Sequence, residues 1–182
     1  KAAYANASNG DTLHLMDGLY DFGSSLELNK PLIIVTDFYY SKDESKWENV
    51  ILAGSDKQWL NMSANPVGGD TLKLMGVRVK SKNGLHTLKF TSAWAELWYC
   101  RFTDGKDQVS FENGGARIAH CYFENSGDEP IDSDKSRGWI IEHNTMVNPG
   151  QDGIEIRAYS YLSSDFIHIA RYNTFIGGSK SQ

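Results

Sequence analysis

The chain has 182 residues, of which 40% are hydrophobic and 23% charged, and this composition suits a globular protein with one real core. Its net charge of −5 argues against a nucleic-acid partner or an anionic membrane surface, because both require a basic patch. No apolar run approaches the roughly 20 residues of a membrane span. We therefore treat residues 1–182 as a single domain.

The first third of the chain predicts a short helix followed by strands. "KAAYANASNG" is typical of the last turns of a helix closed by Gly10. "GDTLHLMDGLYDF", "NKPLIIVTDF", "NVILAGS" and "QWLNMSA" predict strands. The polar segment from Tyr39 to Asn49 predicts an irregular excursion at the surface. We expect the helix to cap the open end of the strands.

The rest of the chain repeats itself about every 22 residues. Four segments align: "LWYCRFTDG", "IAHCYFENS", "IEHNTMVNP" and "ARYNTFIGG". The alignment places Cys100, Cys121, Asn144 and Asn173 at one position, and "LMGVRVKS" precedes the set. Two residues later it gives an apolar column of Phe102, Phe123, Met146 and Phe175. The last interval is longer, and "AYSYLSSDF" is the expected insertion.

A second register has the same period but a different phase. It aligns "TLKFTSA", "DQVSFEN", "EPIDSDK" and "DGIEIRA". Its apolar columns are Leu88, Val109, Ile131 and Ile154, then Phe90, Phe111, Ser133 and Ile156. Two registers with one period favour a parallel β-helix, in which equivalent side chains of successive coils stack on one another.

The predicted fold class is therefore all-β, a parallel β-helix with coils of about 22 residues and a remnant of a capping helix at the N-terminus. The residues between the apolar columns lack the signature of a leucine-rich repeat, and a β-sandwich would not explain two registers. No capping helix follows Phe175, which leaves open that the chain is part of a longer protein.

The outward columns of the second register bring charges together, because side chains alternate between the two faces of a strand. One column contains Lys89, Ser110, Asp132 and Glu155, and the next contains Thr91, Glu112, Asp134 and Arg157. Stacked carboxylates repel each other unless a cation joins them. The pattern predicts either a cation site or an exposed ladder of ion pairs.

Two further pairs fall at equivalent positions of neighbouring coils. His120 and His143 are expected to stack on another face of the solenoid. Cys100 and Cys121 are expected to be small, buried, reduced thiols rather than a disulfide.

At these residues the sequence resembles the right-handed parallel β-helix superfamily typified by pectate lyases. "GDTLHLMDGLY" is similar to the common opening of that superfamily, and "HNTMVN" and "YNTF" are similar to its N-T-F turns. Within it, the chain looks most like the chondroitinase B and alginate lyase group and related lyase-like domains. "NPGQDGIEIRAY" resembles a strand motif of that group, with Asp152 at the acidic position, whereas Glu155 and Arg157 depart from the motif.

The resemblance and the charges together suggest an extracellular, periplasmic or cell-surface protein that acts on acidic polysaccharide. For a lyase we expect Ca²⁺ to be held by Asp132, Asp134 and Glu155 and to neutralise the uronate carboxylate. Lys135 or Arg137 would be the base that removes the neighbouring proton. Arg157, with Lys89 and Glu112, would bind the substrate.

Two alternatives use the same scaffold. A glycoside hydrolase would use two of the carboxylates as acid and base. A non-catalytic carbohydrate-binding solenoid would need neither a catalytic acid nor a catalytic base.

Overall fold

The computed structural model of the protein describes residues 2–21, 26–28, 30–54, 60–62, 71–81, 86–157 and 167–178. These residues form a parallel β-solenoid whose strands build three sheets, called here A, B and C. All of the strand pairs are parallel, and each coil adds one strand to each sheet in turn. The predicted fold class is confirmed, and its right-handed sense is the one that parallel crossovers adopt.

Sheets A and B each contain seven described strands. Sheet A runs in the order β1 (Thr12–Leu15), β4 (Ile33–Thr36), β7 (Thr71–Met75), β10 (Trp94–Trp98), β13 (Gly115–Ala119), β16 (Trp139–Glu142) and β19 (His168–Arg171). Sheet B runs in the order β2 (Gly18–Asp21), β5 (Val50–Gly54), β8 (Arg78–Ser81), β11 (Arg101–Thr103), β14 (Tyr122–Glu124), β17 (Thr145–Val147) and β20 (Thr174–Ile176).

Sheet C contains six described strands and carries the candidate site. Its order is β3 (Leu26–Glu27), β6 (Leu60–Met62), β9 (His86–Thr91), β12 (Asp107–Glu112), β15 (Ile131–Asp134) and β18 (Ile154–Arg157). The predicted insertion, residues 158–166, and most of the segment around β6 lie outside the described residues.

The apolar columns predicted from the repeat form the core. Phe102, Phe123, Met146 and Phe175 pair in register on sheet B, and the rings of Phe102 and Phe123 stack with centroids 5.0 Å apart. The first three are fully buried, whereas Phe175 in the last described coil is 52% exposed. Each coil thus covers the core of its neighbour.

The aligned residues Cys100, Cys121, Asn144 and Asn173 lie at the corner between sheets A and B. The side chain of Asn144 donates a hydrogen bond to Asn173 Oδ1 at 3.0 Å, and both cysteines are buried free thiols. The rings of His120 and His143 stack at 5.0 Å and extend a ladder that begins at Tyr99 and ends at Tyr172.

Two short helices accompany the coils. Helix α1 (Ala2–Asn6) was predicted, and Lys30 Nζ donates to the carbonyls of Tyr4, Ala5 and Ala7 at its C-terminal end. The excursion predicted to be irregular contains helix α2 (Asp37–Ser41) and a 3-10 helix, Glu44–Lys46. Of the helices in the described part of the chain, none has the length and apolar character needed to cross a membrane.

The excursion is held against sheet B by rings and by charges. Trp47 stacks on Phe38 and contacts Tyr122 edge to face. Glu48 forms ion pairs with both Arg78 and Arg101. Sheet B is therefore partly covered here, and its outward face differs from that of sheet C.

Candidate functional site

The two outward columns predicted for sheet C are present in the expected register. Asp132 lies beside Ser110 and Glu155, and Asp134 lies beside Glu112 and Arg157. Strands of one sheet lie about 4.8 Å apart, so side chains that are more than twenty residues apart in sequence come into contact. The columns define the middle of the candidate site.

Arg157 neutralises two of the three carboxylates predicted to bind Ca²⁺. Its guanidinium donates to Glu155 with Nη2–Oε2 and Nε–Oε1 distances of 2.6 and 2.9 Å. Its Nη1 also lies 3.5 Å from Asp134 Oδ2. The hydrogen bond that Arg157 donates to Glu155 and the charges of the neighbouring acids raise the pKa of Arg157. Asp134 and Glu155 are thus paired with a base, in contrast to Asp132.

The remaining predicted side chains lie along the same strands. Lys89 Nζ is 3.3 Å from Glu112 Oε2, which makes this pair an ordinary ion pair between neighbouring strands. Lys135 and Arg137 are exposed and follow the C-terminal end of β15. Arg137 lines an open cavity of about 220 Å³ together with Trp94 and Asn113.

A denser group of acids lies at the other end of these strands. We call Asp107, Asp128, Glu129 and Asp132 the carboxylate cluster; their exposed fractions are 4, 8, 5 and 5%. Ligand atoms of Asp107, Asp128 and Glu129 lie within 4.8 Å of one another. The same limit holds for His86, Asp107 and Asp132. Asp132 is the one predicted metal ligand that belongs to the cluster.

The polar neighbours of the carboxylate cluster include Lys106, Gln151, Ser110 and His86. Lys106 Nζ lies 2.7 Å from Asp128 Oδ2, and the amide of Gln151 donates to Asp128 Oδ1. Ser110 Oγ donates to Asp132 Oδ2 at 3.1 Å. The contacts of Lys106 and Gln151 are both with Asp128. The negative charge of the other members of the cluster is therefore only partly balanced.

Burial and mutual repulsion shift the titration of the cluster. Burial raises the pKa of Glu129 to about 8, and a hydrogen bond that its protonated form donates to Asp128 and the neighbouring negative charges act in the same direction. Burial also raises the pKa of Asp132. Burial would raise the pKa of Asp107 as well, but His86 and Lys106 outweigh it and the pKa falls below its usual value. Near neutral pH, a protonated Glu129 therefore lies beside an ionised Asp107.

His86, Asp107, Asp128 and Glu129 were not identified from the sequence as candidate site residues. The signal that could have found them is the repeat itself, because His86, Asp107 and Asp128 follow one another at intervals of 21 residues. Asp107 pairs with His86 in the register of β12 and β9. These residues lie two or three positions before the first apolar column of the second register, Leu88, Val109 and Ile131.

Fold and site together define a parallel β-solenoid with a buried carboxylate cluster on one sheet. Comparison of the chain with models of protein families, with curated proteins and with solved structures gave no match.

Proposed function

We propose that the chain acts on an acidic polysaccharide and cleaves it by β-elimination, with a divalent cation held at the carboxylate cluster. The observation that carries this proposal is the burial of four carboxyl groups at one end of sheet C, where Lys106 is their main ionic partner. Buried like charges are stable only when a proton or a cation compensates them. The resemblance of "GDTLHLMDGLY" to pectate-lyase-like β-helices supports the same reading.

The residues present fit a hard cation such as Ca²⁺. Asp107, Asp128 and Glu129 offer oxygen ligands alone, which are the ligands that Ca²⁺ takes. Asp132 lies close enough to Asp107 to contribute as well. Bound there, the cation would draw electron density from a uronate carboxylate and make the neighbouring C–H proton more acidic.

The protein side chains would complete the reaction. A carboxylate of the cluster that does not hold the cation would accept the proton from the carbon beside the sugar carboxylate. The predicted bases Lys135 and Arg137 lie past the opposite end of β15 and would contact the polymer there. The bond to the glycosidic oxygen then breaks as a carbon–carbon double bond forms, and the leaving oxygen takes a proton from water. Arg157 would hold an acidic sugar by charge-assisted hydrogen bonds, and Lys89 and Glu112 would contact the same chain along sheet C. Such a protein would work outside the cell or at its surface, where these polymers occur.

A second candidate function is glycoside hydrolysis, and the titration of the cluster favours it. A hydrolase needs one protonated and one ionised carboxyl group beside the scissile bond. Glu129, with its pKa of about 8, and the ionised Asp107 have these protonation states. Their ligand atoms lie within 4.8 Å of each other, which is closer than the roughly 5 Å or more that separates the two carboxyl groups of a glycoside hydrolase. In this case Glu129 would be the general acid, and no cation would be needed.

Incubation with alginate, pectate and chondroitin sulfate, each with Ca²⁺ or with a chelator, tests both candidates. A lyase gives products that absorb in the ultraviolet because they are unsaturated, and the chelator abolishes them. A hydrolase gives new reducing ends without that absorbance. Glu129→Gln should reduce either activity about 100-fold, whereas Asp104→Asn, outside the cluster, should leave it unchanged.

The absence of product from all three polymers would contradict both enzymatic candidates. Binding of a polymer without cleavage would then support the carbohydrate-binding solenoid. Equal rates with Ca²⁺ and with chelator, together with unsaturated product, would contradict the role of the cation alone.

A further inference from the structure

The side chain of His86 brings a nitrogen ligand to one edge of the carboxylate cluster. His86 begins β9 and pairs in register with Asp107, the first residue of β12. Its Nδ1 lies 2.9 Å from Asp107 Oδ2. One ligand atom from each of His86, Asp107 and Asp132 fits within 4.8 Å. These three residues come from three adjacent strands of sheet C.

Two oxygens in this group are buried without a hydrogen bond from the described residues. They are Asp107 Oδ1 and Asp132 Oδ1, and the residues that bear them are 4 and 5% exposed. An unpaired oxygen of a buried carboxylate is costly unless a positive group compensates it. Two such atoms on neighbouring strands, beside an imidazole, point to a bound cation.

The basic neighbours of the group contact other carboxylates. Lys106 lies 2.7 Å from Asp128, and Arg157 pairs with Glu155 and Asp134. An ion pair between His86 and Asp107 would neutralise one carboxylate at most. It would leave the buried oxygen of Asp132 without a positive partner.

The mixture of ligand types distinguishes this group from the all-carboxylate group of Asp107, Asp128 and Glu129. Ca²⁺ and Mg²⁺ take oxygen ligands, whereas imidazole nitrogen is favoured by Zn²⁺ and its first-row neighbours. Three protein ligands with a fourth position open to solvent are also the usual arrangement of a reactive zinc ion. The side chain of His86 is 18% exposed, whereas its Nδ1 and the oxygens Asp107 Oδ1 and Asp132 Oδ1 are buried.

We propose that His86, Asp107 and Asp132 form a binding site for a first-row transition-metal ion of the Zn²⁺ type. This site shares Asp107 with the group assigned to the hard cation in the proposed function, and it also uses Asp132, which could contribute to that group. It requires no polysaccharide, so it can be tested separately from that function.

Titration of the whole chain, first stripped with a chelator, with Co²⁺ and Zn²⁺ tests the site. Co²⁺ should bind at one equivalent and give visible ligand-field bands of a four- or five-coordinate ion, and Zn²⁺ should displace it. His86→Gln should weaken Zn²⁺ binding about 10-fold or more and leave Ca²⁺ binding unchanged. Asp132→Asn should weaken Zn²⁺ binding as well, while His168→Gln on sheet A should not change it.

Several outcomes would overturn the proposal. One is the absence of Co²⁺ bands in the stripped wild-type chain, a result that requires no variant. Another is equal Zn²⁺ affinity of wild type and His86→Gln, with circular dichroism showing that the variant is folded. A third is loss of Zn²⁺ binding in Glu129→Gln but not in His86→Gln, which would place the ion at the all-carboxylate group. None of these outcomes would decide whether a polysaccharide is cleaved.

Discussion

Asn144 shows how single side chains join the coils of this solenoid. It is 1% exposed and lies at the corner between sheets A and B. Its Oδ1 accepts a hydrogen bond from the amide of Cys121 at 2.9 Å, and its Nδ2 donates to the carbonyl of Ile118 at 2.9 Å. One side chain thus satisfies two backbone groups of the neighbouring coil, in a place where water cannot reach them.

Replacement of Asn144 by Ala should therefore destabilise the protein markedly. The amide of Cys121 and the carbonyl of Ile118 would both lose their partner, and each unsatisfied buried group costs about 1–3 kcal/mol. We expect a loss of about 2–4 kcal/mol in the free energy of unfolding, measured by urea denaturation. Asn49→Ala, which breaks only a contact with Asp17, is the control and should change stability far less. Equal effects of the two substitutions would contradict this role of Asn144.

Glu129 gives the folded protein a pH dependence of definite sign. Its pKa is raised from 4.5 to about 8, chiefly by burial. The folded protein therefore keeps a proton that the unfolded chain has lost, and stability falls as the pH rises from 4.5 toward 8. In the presence of a chelator, the urea midpoint of the wild type should fall across this window relative to that of Glu129→Gln. Parallel pH profiles of the two proteins would contradict the raised pKa.

At the scale of the elements, the apolar columns were predictable because every coil repeats the same inward positions. The pairing of Asp132 with Glu155 and of Phe102 with Phe123 follows directly from that period. The end of β12 that holds Asp107 was not predictable from alternation. There the consecutive amides of Gln108 and Val109 donate to the consecutive carbonyls of Glu129 and Pro130, which departs from the alternating pattern of a regular parallel ladder.

The position of a coil along the solenoid decides how much its core residue contributes to the free energy of unfolding. Phe123 and Phe175 occupy the same column on sheet B, but Phe123 is fully buried and Phe175 is 52% exposed. Phe123→Ala should lower the free energy of unfolding by about 3–5 kcal/mol because it leaves a cavity between two coils. Phe175→Ala is the matched control and should lower it by much less. Denaturation midpoints that fall equally for both variants would show that burial in the stack does not set the contribution.

At the scale of the whole molecule, the three faces of the solenoid have different electrostatic characters. On sheet A, Arg117 and Arg171 flank Glu142 with Nη2–Oε distances of 2.7 Å each, so this carboxylate is compensated from both sides. On sheet B, Glu48 of the excursion compensates Arg78 and Arg101. Sheet C holds the carboxylate cluster. Its buried carboxyl groups can carry more negative charge than the single positive charge of Lys106 balances. This imbalance is the reason to place function on sheet C.

The same architecture predicts that stability is graded along the solenoid. Each coil contacts only its neighbours, so the free energy of opening depends on how many neighbours cover it. Phe102 and Phe111 in the central coils are fully buried, whereas the inward residue Phe175 in the last described coil is 52% exposed. Amide hydrogen exchange should therefore be slowest in β11 and β12 and fastest in β2 and β20. If the end coils open independently, their amides must exchange first. Uniform protection along the chain would therefore contradict this prediction and would mean that the coils open as one cooperative unit.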